Sequence, residues 1–179
     1  GVRIFLTVKH PDCPMNGLKK SAGADLFLGK WCPDKTKGPE MTLIVQEIQA
    51  KSILSPSKIY PWVINPYTGC QHGCSYCYAR FMKRVTGHKE PWGAFVDVKV
   101  NAPDLLRVEI PKKRRGRVWV SGVCDPYQPL EKKYRLTRQC LEILAWHEWP
   151  VVIQTRSPLV LRDMDIIRDA REFEVGLSV

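Results

Sequence analysis

The residues best placed to do chemistry in this chain are three clustered thiols. Cys70, Cys74 and Cys77 stand in the segment Asn65-Pro-Tyr-Thr-Gly-Cys70-Gln-His-Gly-Cys74-Ser-Tyr-Cys77-Tyr-Ala-Arg80 with the spacing C-x3-C-x2-C. Soft thiolates on so short a loop can wrap one small metal centre, because the spacers keep the sulfurs close together. Iron–sulfur clusters usually take four cysteines, so a set of three leaves one iron open to a substrate or cofactor. Zinc is the alternative, with His72 or His88 as a fourth ligand. Zinc modules usually pair two cysteine knuckles, however, and the sequence has no second one. Gly69 and Gly73 allow the backbone to turn tightly about such a centre. The chain has seven cysteines, an odd and clustered set that reads as metal ligands rather than a disulfide framework. Cys140 falls on the apolar face of a predicted helix and reads as core packing, while Cys13 and Cys32 carry no assigned role.

A metal-binding loop needs a frame, and the sequence predicts one from residue 59 onward. Trp62–Asn65 is a short apolar strand that runs into the cysteine segment. Ser75–Val85 is expected as a helix, with Cys77, Phe81 and Val85 at i, i+4 and i+8. Ala94–Val100 alternates as a strand, and Asn101 is placed to cap a short helix carrying Leu105, Leu106 and Ile110. Val118–Val123 is a third strand and Leu136–Trp146 an amphipathic helix. Val151–Gln154 is a fourth, almost wholly apolar strand, followed by a helix marked by Leu161, Met164, Ile167 and Ala170; Glu174–Val179 opens a fifth strand. Residues 1–58 form an irregular N-terminal segment rich in Pro and Gly, with an unassigned ordered stretch at Thr42–Ile53 and a linker at Ser55-Pro56-Ser57.

Strands alternating with helices imply an α/β fold with a parallel sheet and right-handed crossovers. Functional groups in such sheets gather at the carboxyl ends of the strands. This rule directs the cysteine cluster, Ser121-Gly122-Val123-Cys124-Asp125, Gln154-Thr155-Arg156 and Ser178 into one mouth. Ser121, Asp125, Tyr127 and Gln128 are expected to line it, in a loop stiffened by Pro126 and Pro129. Asp125 has a purely local turn bond as its alternative role.

C-x3-C-x2-C with an aromatic residue, Tyr76, before the last cysteine resembles the signature of radical S-adenosylmethionine (SAM) enzymes. Asn65-Pro-Tyr-Thr-Gly-Cys, Tyr76-Cys-Tyr-Ala-Arg, Asp125-Pro-Tyr-Gln-Pro-Leu-Glu131, Leu136-Thr-Arg and Thr155-Arg-Ser-Pro-Leu-Val-Leu-Arg-Asp163 are similar to its spore photoproduct lyase-like, DNA-repair photolyase-like branch. The likeness covers roughly residues 42–179. It implies a partial TIM-like radical SAM barrel of parallel strands, truncated relative to the six βα units of such barrels. It also implies a [4Fe–4S] cluster on Cys70, Cys74 and Cys77, whose open iron is chelated by SAM. Reductive cleavage of SAM, fed by an external electron donor, would then give a 5′-deoxyadenosyl radical. Among residues facing SAM, the resemblance implies Tyr76, Lys99, Asn101, Ser121, Asp125, Arg156 and Ser178, with Arg156 near the SAM carboxylate. For Asn101 a helix cap is the competing role, and for Arg156 an ordinary surface position. Cys124 is the candidate catalytic thiol, although that branch carries its hydrogen-donating cysteine nearer the strand.

The 179 residues are 44% hydrophobic and 26% charged, a globular composition, with no apolar run long enough to cross a bilayer and no signal-peptide pattern. A cytoplasmic location and no membrane partner are therefore expected. Lys and Arg total 28 against 18 acidic residues, a net charge of +10 that favours polyanionic partners, a nucleic-acid lesion among them. The run Lys112-Lys113-Arg114-Arg115-Gly116-Arg117 is suited to phosphates, with a solvated loop as its alternative. The function opposed to a radical SAM enzyme is a small zinc- or cluster-stabilised nucleic-acid-binding module. A sheet ending at the fifth strand would leave an edge exposed.

Overall fold

The computed structural model describes residues 3–7 and 42–178. In chain order the elements are β1 (Arg3–Thr7), β2 (Ile44–Ile48), β3 (Ser55–Pro56), β4 (Trp62–Ile64), β5 (Tyr67–Thr68), α1 (Met82–Thr86), β6 (Phe95–Lys99), α2 (Ala102–Glu109), β7 (Val118–Val120), α3 (Glu131–Tyr134), α4 (Leu136–Trp146), β8 (Val151–Thr155), α5 (Met164–Asp169) and β9 (Phe173–Ser178). The fold is mixed α/β. One six-stranded sheet has the order β1-β9-β8-β7-β4-β3, parallel throughout except for the β3–β4 pair. The expected strand edge at β9 is covered by β1, with Arg3 opposite Glu174 and Thr7 opposite Ser178. Ser55–Pro56, expected as a linker, pairs with Val63 and Trp62.

The predicted second strand departs from its expected place. β6 lies in a separate three-stranded sheet, parallel to β2 and antiparallel to β5. β4 pairs directly with β7, so the whole stretch between β4 and α2 is an excursion that carries the cysteines. Apolar alternation identifies a strand, but it does not say which neighbour the strand will pair with.

Strands β4, β7, β8 and β9 of the main sheet show one face to the helices and the other to a cavity. Ile64, Val118, Val120, Val151, Ile153 and Val175 are buried with Leu106 of α2, Leu141 and Leu144 of α4 and Ile167 of α5. Full burial of each such side chain contributes about 1.5–3 kcal/mol. The alternate residues, among them Val63, Trp119, Val152, Gln154 and Glu174, line the opposite face. The helix α4 occupies its predicted range, and Cys140 is fully buried on its inner face.

The expected helix over 75–85 is shorter than its pattern. Backbone bonds from Gly73 N to Cys70 O and from Cys77 N to Cys74 O hold its first part in turns. Helical structure begins with a 3-10 turn at Tyr78–Phe81 and continues as α1. Phe81 and Val85 are 48% and 70% exposed, so the apolar spacing there does not mark a core face. Asn101 stands at the start of α2 without capping it; its amide accepts from Ala50 N and donates to Ala50 O, both at 2.9 Å.

One buried carboxylate joins several of these elements. Glu131 is fully buried and accepts from the Tyr67 hydroxyl at 2.5 Å, Thr137 N at 3.0 Å, Arg138 N at 3.2 Å and Arg162 Nη2 at 2.8 Å. It thereby caps α4, whose own N-cap residue, Arg135, provides no capping side chain. Removing one member of a buried, hydrogen-bonded ion pair typically costs about 3–5 kcal/mol. Glu131→Ala should lose stability on that scale, and Glu131→Gln less. Urea unfolding monitored by circular dichroism checks this, and an unchanged midpoint for Glu131→Ala would contradict it.

Candidate active site

The cysteine loop leaves the carboxyl end of β4, and its course is fixed by close backbone contacts. Gly69 has φ +86°, and a Cβ placed there would lie 2.3 Å from Phe95 O, so only glycine fits. A Cβ on Gly93 would lie 2.9 Å from the Cα of Gly73, which shows how tightly the segment before β6 supports the loop. Gln71 N donates to Gln128 Oε1 at 2.9 Å, and Leu130 N donates back to Gln71 Oε1 at 2.6 Å. Asn65 Oδ1 accepts from Gly122 N at 2.8 Å and Val123 N at 3.2 Å, joining the loops after β4 and β7. The Tyr78 hydroxyl donates to Gly122 O.

Cys70, Cys74 and Cys77 line one cavity of about 160 Å³ together with His72, Ser121, Cys124, Asp125, Thr155, Arg156 and Ser178. It adjoins a larger chamber of about 950 Å³ on the open face of the sheet, and Trp119, Gly122, Gln154 and Ser178 line both. The strand-end rule therefore brought together residues from three successive parallel strands. Asp125 ties them. It accepts from Thr155 Oγ1 at 2.6 Å, Tyr127 N at 2.9 Å and Arg156 N at 2.9 Å, with His72 Nε2 3.5 Å away. The local turn bond and the cross-strand role thus coexist.

Among the described residues that line the cavity, Arg156 is the one permanently charged cation. Its Nη1 lies 2.6 Å from Cys74 Sγ, and its guanidinium carbon is 5.9 Å from the ring centre of Tyr76. Burial pushes the Cys70 thiol up to about 12 and also raises Cys77, whose shift is opposed by the Ala79 N–H. Burial likewise pushes Cys124 up to about 12; its Sγ donates to Tyr67 O at 3.3 Å and lies 3.4 Å from Ser121 Oγ. Among the described residues, two buried polar atoms of this region, His72 Nε2 and Trp92 Nε1, find no hydrogen-bond partner. Each such orphan costs about 1–3 kcal/mol.

Several expected site residues lie elsewhere. Tyr127 and Gln128 are fully buried beneath the loop rather than lining the cavity. Lys99 Nζ donates to Asn65 O at 2.9 Å, and neither it nor Asn101 reaches the cavity lining. Tyr76 is half exposed at the rim, with its ring beside Arg156. The basic run precedes β7, at the amino ends of the strands and away from the cavity, where Arg115 pairs with Glu172 at 2.6 Å and Arg117 with Glu174 at 3.4 Å. Sequence reasoning missed Asn65, Gln71 and Trp119 as parts of the site. A lone amide carries no periodic signal, and Trp119 read only as part of an apolar strand.

As a metal centre the loop has the right chemistry: three thiols on one short segment, facing a common cavity with a guanidinium against one of them. A bound cation would remove the burial penalty on the thiolates. Among the described residues, no three His, Cys, Asp or Glu side chains converge closely enough to hold a metal ion as they stand. His88 is not available as a ligand, because its Nδ1 is 3.0 Å from Glu90 Oε2 and its Nε2 2.9 Å from Asp97 Oδ1.

No family model matches the chain. Over 135 residues it is 42% identical to an uncharacterized protein of Methanocaldococcus jannaschii, covering 74% of this chain and 50% of that protein. It is 33% identical over 124 residues to an uncharacterized protein of Mycobacterium tuberculosis, covering 67% of this chain and 36% of the other. An uncharacterized protein of Acidianus two-tailed virus is 30% identical over 119 residues, 62% of this chain and 39% of its own length. The chain spans half or less of the length of these curated relatives. Among solved structures it resembles spore photoproduct lyase complexed with dinucleoside spore photoproduct, with TM-score 0.54 and 18% identity over 75% of this chain and 39% of that one. A double mutant of the same lyase, with bound AdoMet and the dinucleoside, gives TM-score 0.53 and 19% identity over 77% of this chain and 40% of that one. The fold is shared with that lyase. No helix among the described residues is long and apolar enough to cross a membrane.

The grip on His88 generates a pH prediction. Burial opposes its charge, but hydrogen bonds to Asp97 and Glu90 outweigh it, and the net pKa is raised. The stabilisation is therefore fully present below the ordinary histidine value of about 6.5 and disappears as pH rises through the higher folded value. The thermal-midpoint gap between the wild type and His88→Gln should be widest below about pH 6.5 and narrow above it. A gap that widens with pH would contradict this.

Proposed function

We propose that the chain carries a radical SAM active site on a partial barrel, with a [4Fe–4S] cluster held by Cys70, Cys74 and Cys77. The observation that carries this reading is the shared cavity. Three thiols of one short loop face the same space as residues ending three successive parallel strands: Ser121 and Asp125, then Thr155 and Arg156, then Ser178. When bound, the cluster supplies an electron for the reductive cleavage of SAM to methionine and a 5′-deoxyadenosyl radical.

The chain's own groups have distinct tasks in this reading. Arg156 supplies the positive charge for the SAM carboxylate, backed by the Tyr76 ring and held at its backbone by Asp125. Asp125 and Ser121 offer polar contacts from the β7 loop, and Ser178 does so from β9. The Asn101 amide is committed to Ala50 after β2 and the Lys99 ammonium to Asn65 at the root of the cysteine loop, so both act as structural supports instead of meeting SAM. Cys124 remains the candidate hydrogen-donating thiol of the cavity. An external reductant is the electron source, and a cytoplasmic setting suits such a cluster.

The substrate reading is a nucleic-acid lesion, supported by the fold shared with a lyase bound to a dinucleoside photoproduct. The large chamber next to the cysteines has room for one, and its Tyr60–Trp119 pair presents aromatic surface. A zinc-stabilised binding module is the second reading, favoured by the buried His72 Nε2 beside the cysteines, which makes no hydrogen bond among the described residues.

Anaerobic reconstitution with iron and sulfide, followed by SAM and a strong reductant, should yield 5′-deoxyadenosine, and Cys74→Ala should abolish it. Zinc bound in place of iron, with SAM intact, would overturn the radical reading in favour of the second.

A further inference from the structure

Among the described residues, an apolar row lies uncovered beside the cysteines, beginning one residue after Cys77. Tyr78–Phe81 is a 3-10 turn that runs straight into α1. Residues three apart eclipse in a 3-10 turn, and residues four apart are neighbours on an α-helix. Tyr78, Phe81 and Val85 therefore form one stripe. Tyr78 is 66% exposed although its hydroxyl is engaged by Gly122 O, and Phe81 and Val85 are exposed with it. No residue of α1 is buried. Single apolar side chains at a surface need no explanation, but an aligned row of them marks an interaction site.

The stripe is bordered by charge of one sign. From Gln71 to Lys89 the sequence has four Lys and Arg residues and no Asp or Glu. Arg80 and Arg84 are exposed and Lys83 is half-buried. Among the described residues, none of these three pairs with a carboxylate. Arg80 Nη2 donates to Cys74 O at 3.3 Å, which fastens this border to the cysteine loop. An apolar centre ringed by cations complements the surface of an acidic protein. A phosphate backbone would leave the stripe itself uncovered, and Val85 offers no ring to a base. The position of the stripe says what kind of acidic protein it suits. The electron for the cluster comes from outside, and the stripe starts at the neighbour of a cluster ligand. Redox encounters bury little surface, less than about 1,200 Å² in total, so two helical turns suffice.

We infer that the stripe of Tyr78, Phe81 and Val85, with Arg80, Lys83 and Arg84 around it, is the docking surface for a small acidic one-electron carrier protein. The inference rests on the iron–sulfur reading above. In the docked pair one electron leaves the reduced carrier and enters the cluster. The carrier is oxidised by one electron and the cluster reduced by one; no bond forms or breaks, and no proton moves.

The test follows cluster reduction by stopped-flow absorbance in the reconstituted full chain, with a reduced plant-type [2Fe–2S] ferredoxin as the acidic carrier. The second-order rate for the wild type should fall steeply as salt screens the attraction. Lys83→Glu with Arg84→Glu should slow it about tenfold at low ionic strength and remove most of its salt dependence. Phe81→Ser with Val85→Ser should slow it at every ionic strength. The same charge change at Lys112 and Arg114, at the amino ends of the strands, should alter it little. Photoreduced deazaflavin, which is too small to need a docking surface, should reduce the wild type and all variants at one rate. A ferredoxin rate that ignores salt and the reversal at Lys83 and Arg84 overturns the inference alone, as does equal slowing by the distant pair. An unchanged ferredoxin rate in stripe variants that lose affinity for a single-stranded oligonucleotide also overturns it, and gives the surface to nucleic acid. A wild type that assembles no iron–sulfur cluster overturns the functional reading and this inference with it.

Discussion

The arrangement of the site depends on the buried carboxylate of Glu131. A fully desolvated charge is tolerated only where every lone pair is used and a cation stands nearby. Both conditions are met: Tyr67 and two α4 backbone N–H groups bind it, and Arg162 supplies the cation. Burial and the facing carboxylate drive the Tyr67 hydroxyl's pKa upward, so it remains a donor. Arg162 also grips Asp163, which binds Arg138 at 3.0 Å. The root of the cysteine loop, the start of α4 and the connection after β8 are thereby fixed to one another.

Above this root the loops are joined by another kind of contact. Asn65, Gln71, Gln128 and Asp125 each direct a side-chain oxygen at backbone N–H groups of a neighbouring loop. Such bonds satisfy backbone donors that have no partner within a sheet or helix. Apart from Asp125, which also lines the cavity, they fix loop against loop without using the groups that face the thiols. A cavity lined by thiols, Arg156 and the edge of Asp125 can then be stiff before anything binds, which is what a site on loops needs.

The sequence made part of this legible. Ser121, Cys124, Asp125, Arg156 and Ser178 were found because strand periodicity and the carboxyl-end rule are both local, and the lining includes all of them. Tyr127 and Gln128 were misplaced because the turn at Asp125 and the short α3 point them into the core, a matter of backbone direction that composition does not reveal. Phe81 and Val85 imitate a core face by spacing alone and remain exposed. The pairing of β6 with β2 and β5 depends on partners distant in sequence. Glu131 stood out only as the end of a motif, since a buried acid looks like a surface acid until its partners are known.

The net charge of +10 does not by itself place a polyanion at the cavity. The densest basic run sits at the amino ends of the strands, and there Arg115 and Arg117 are engaged by Glu172 and Glu174. Arg138 and Arg162 are absorbed by Asp163, Asp165 and Glu131. What distinguishes the cavity end is a division of labour between two adjoining spaces. The smaller holds the thiols and Arg156, and the larger is walled mainly by Trp119, Tyr60 and aliphatic side chains, with Gln154 and Glu174 among them. Reactive intermediates survive where water is kept out, and apolar walls serve that end better than phosphate-binding cations would. In the proposed reaction, recognition in the large chamber therefore rests on shape, ring contact and the polar groups of Gln154 and Glu174, while the cavity's fixed positive charge is reserved for the cofactor.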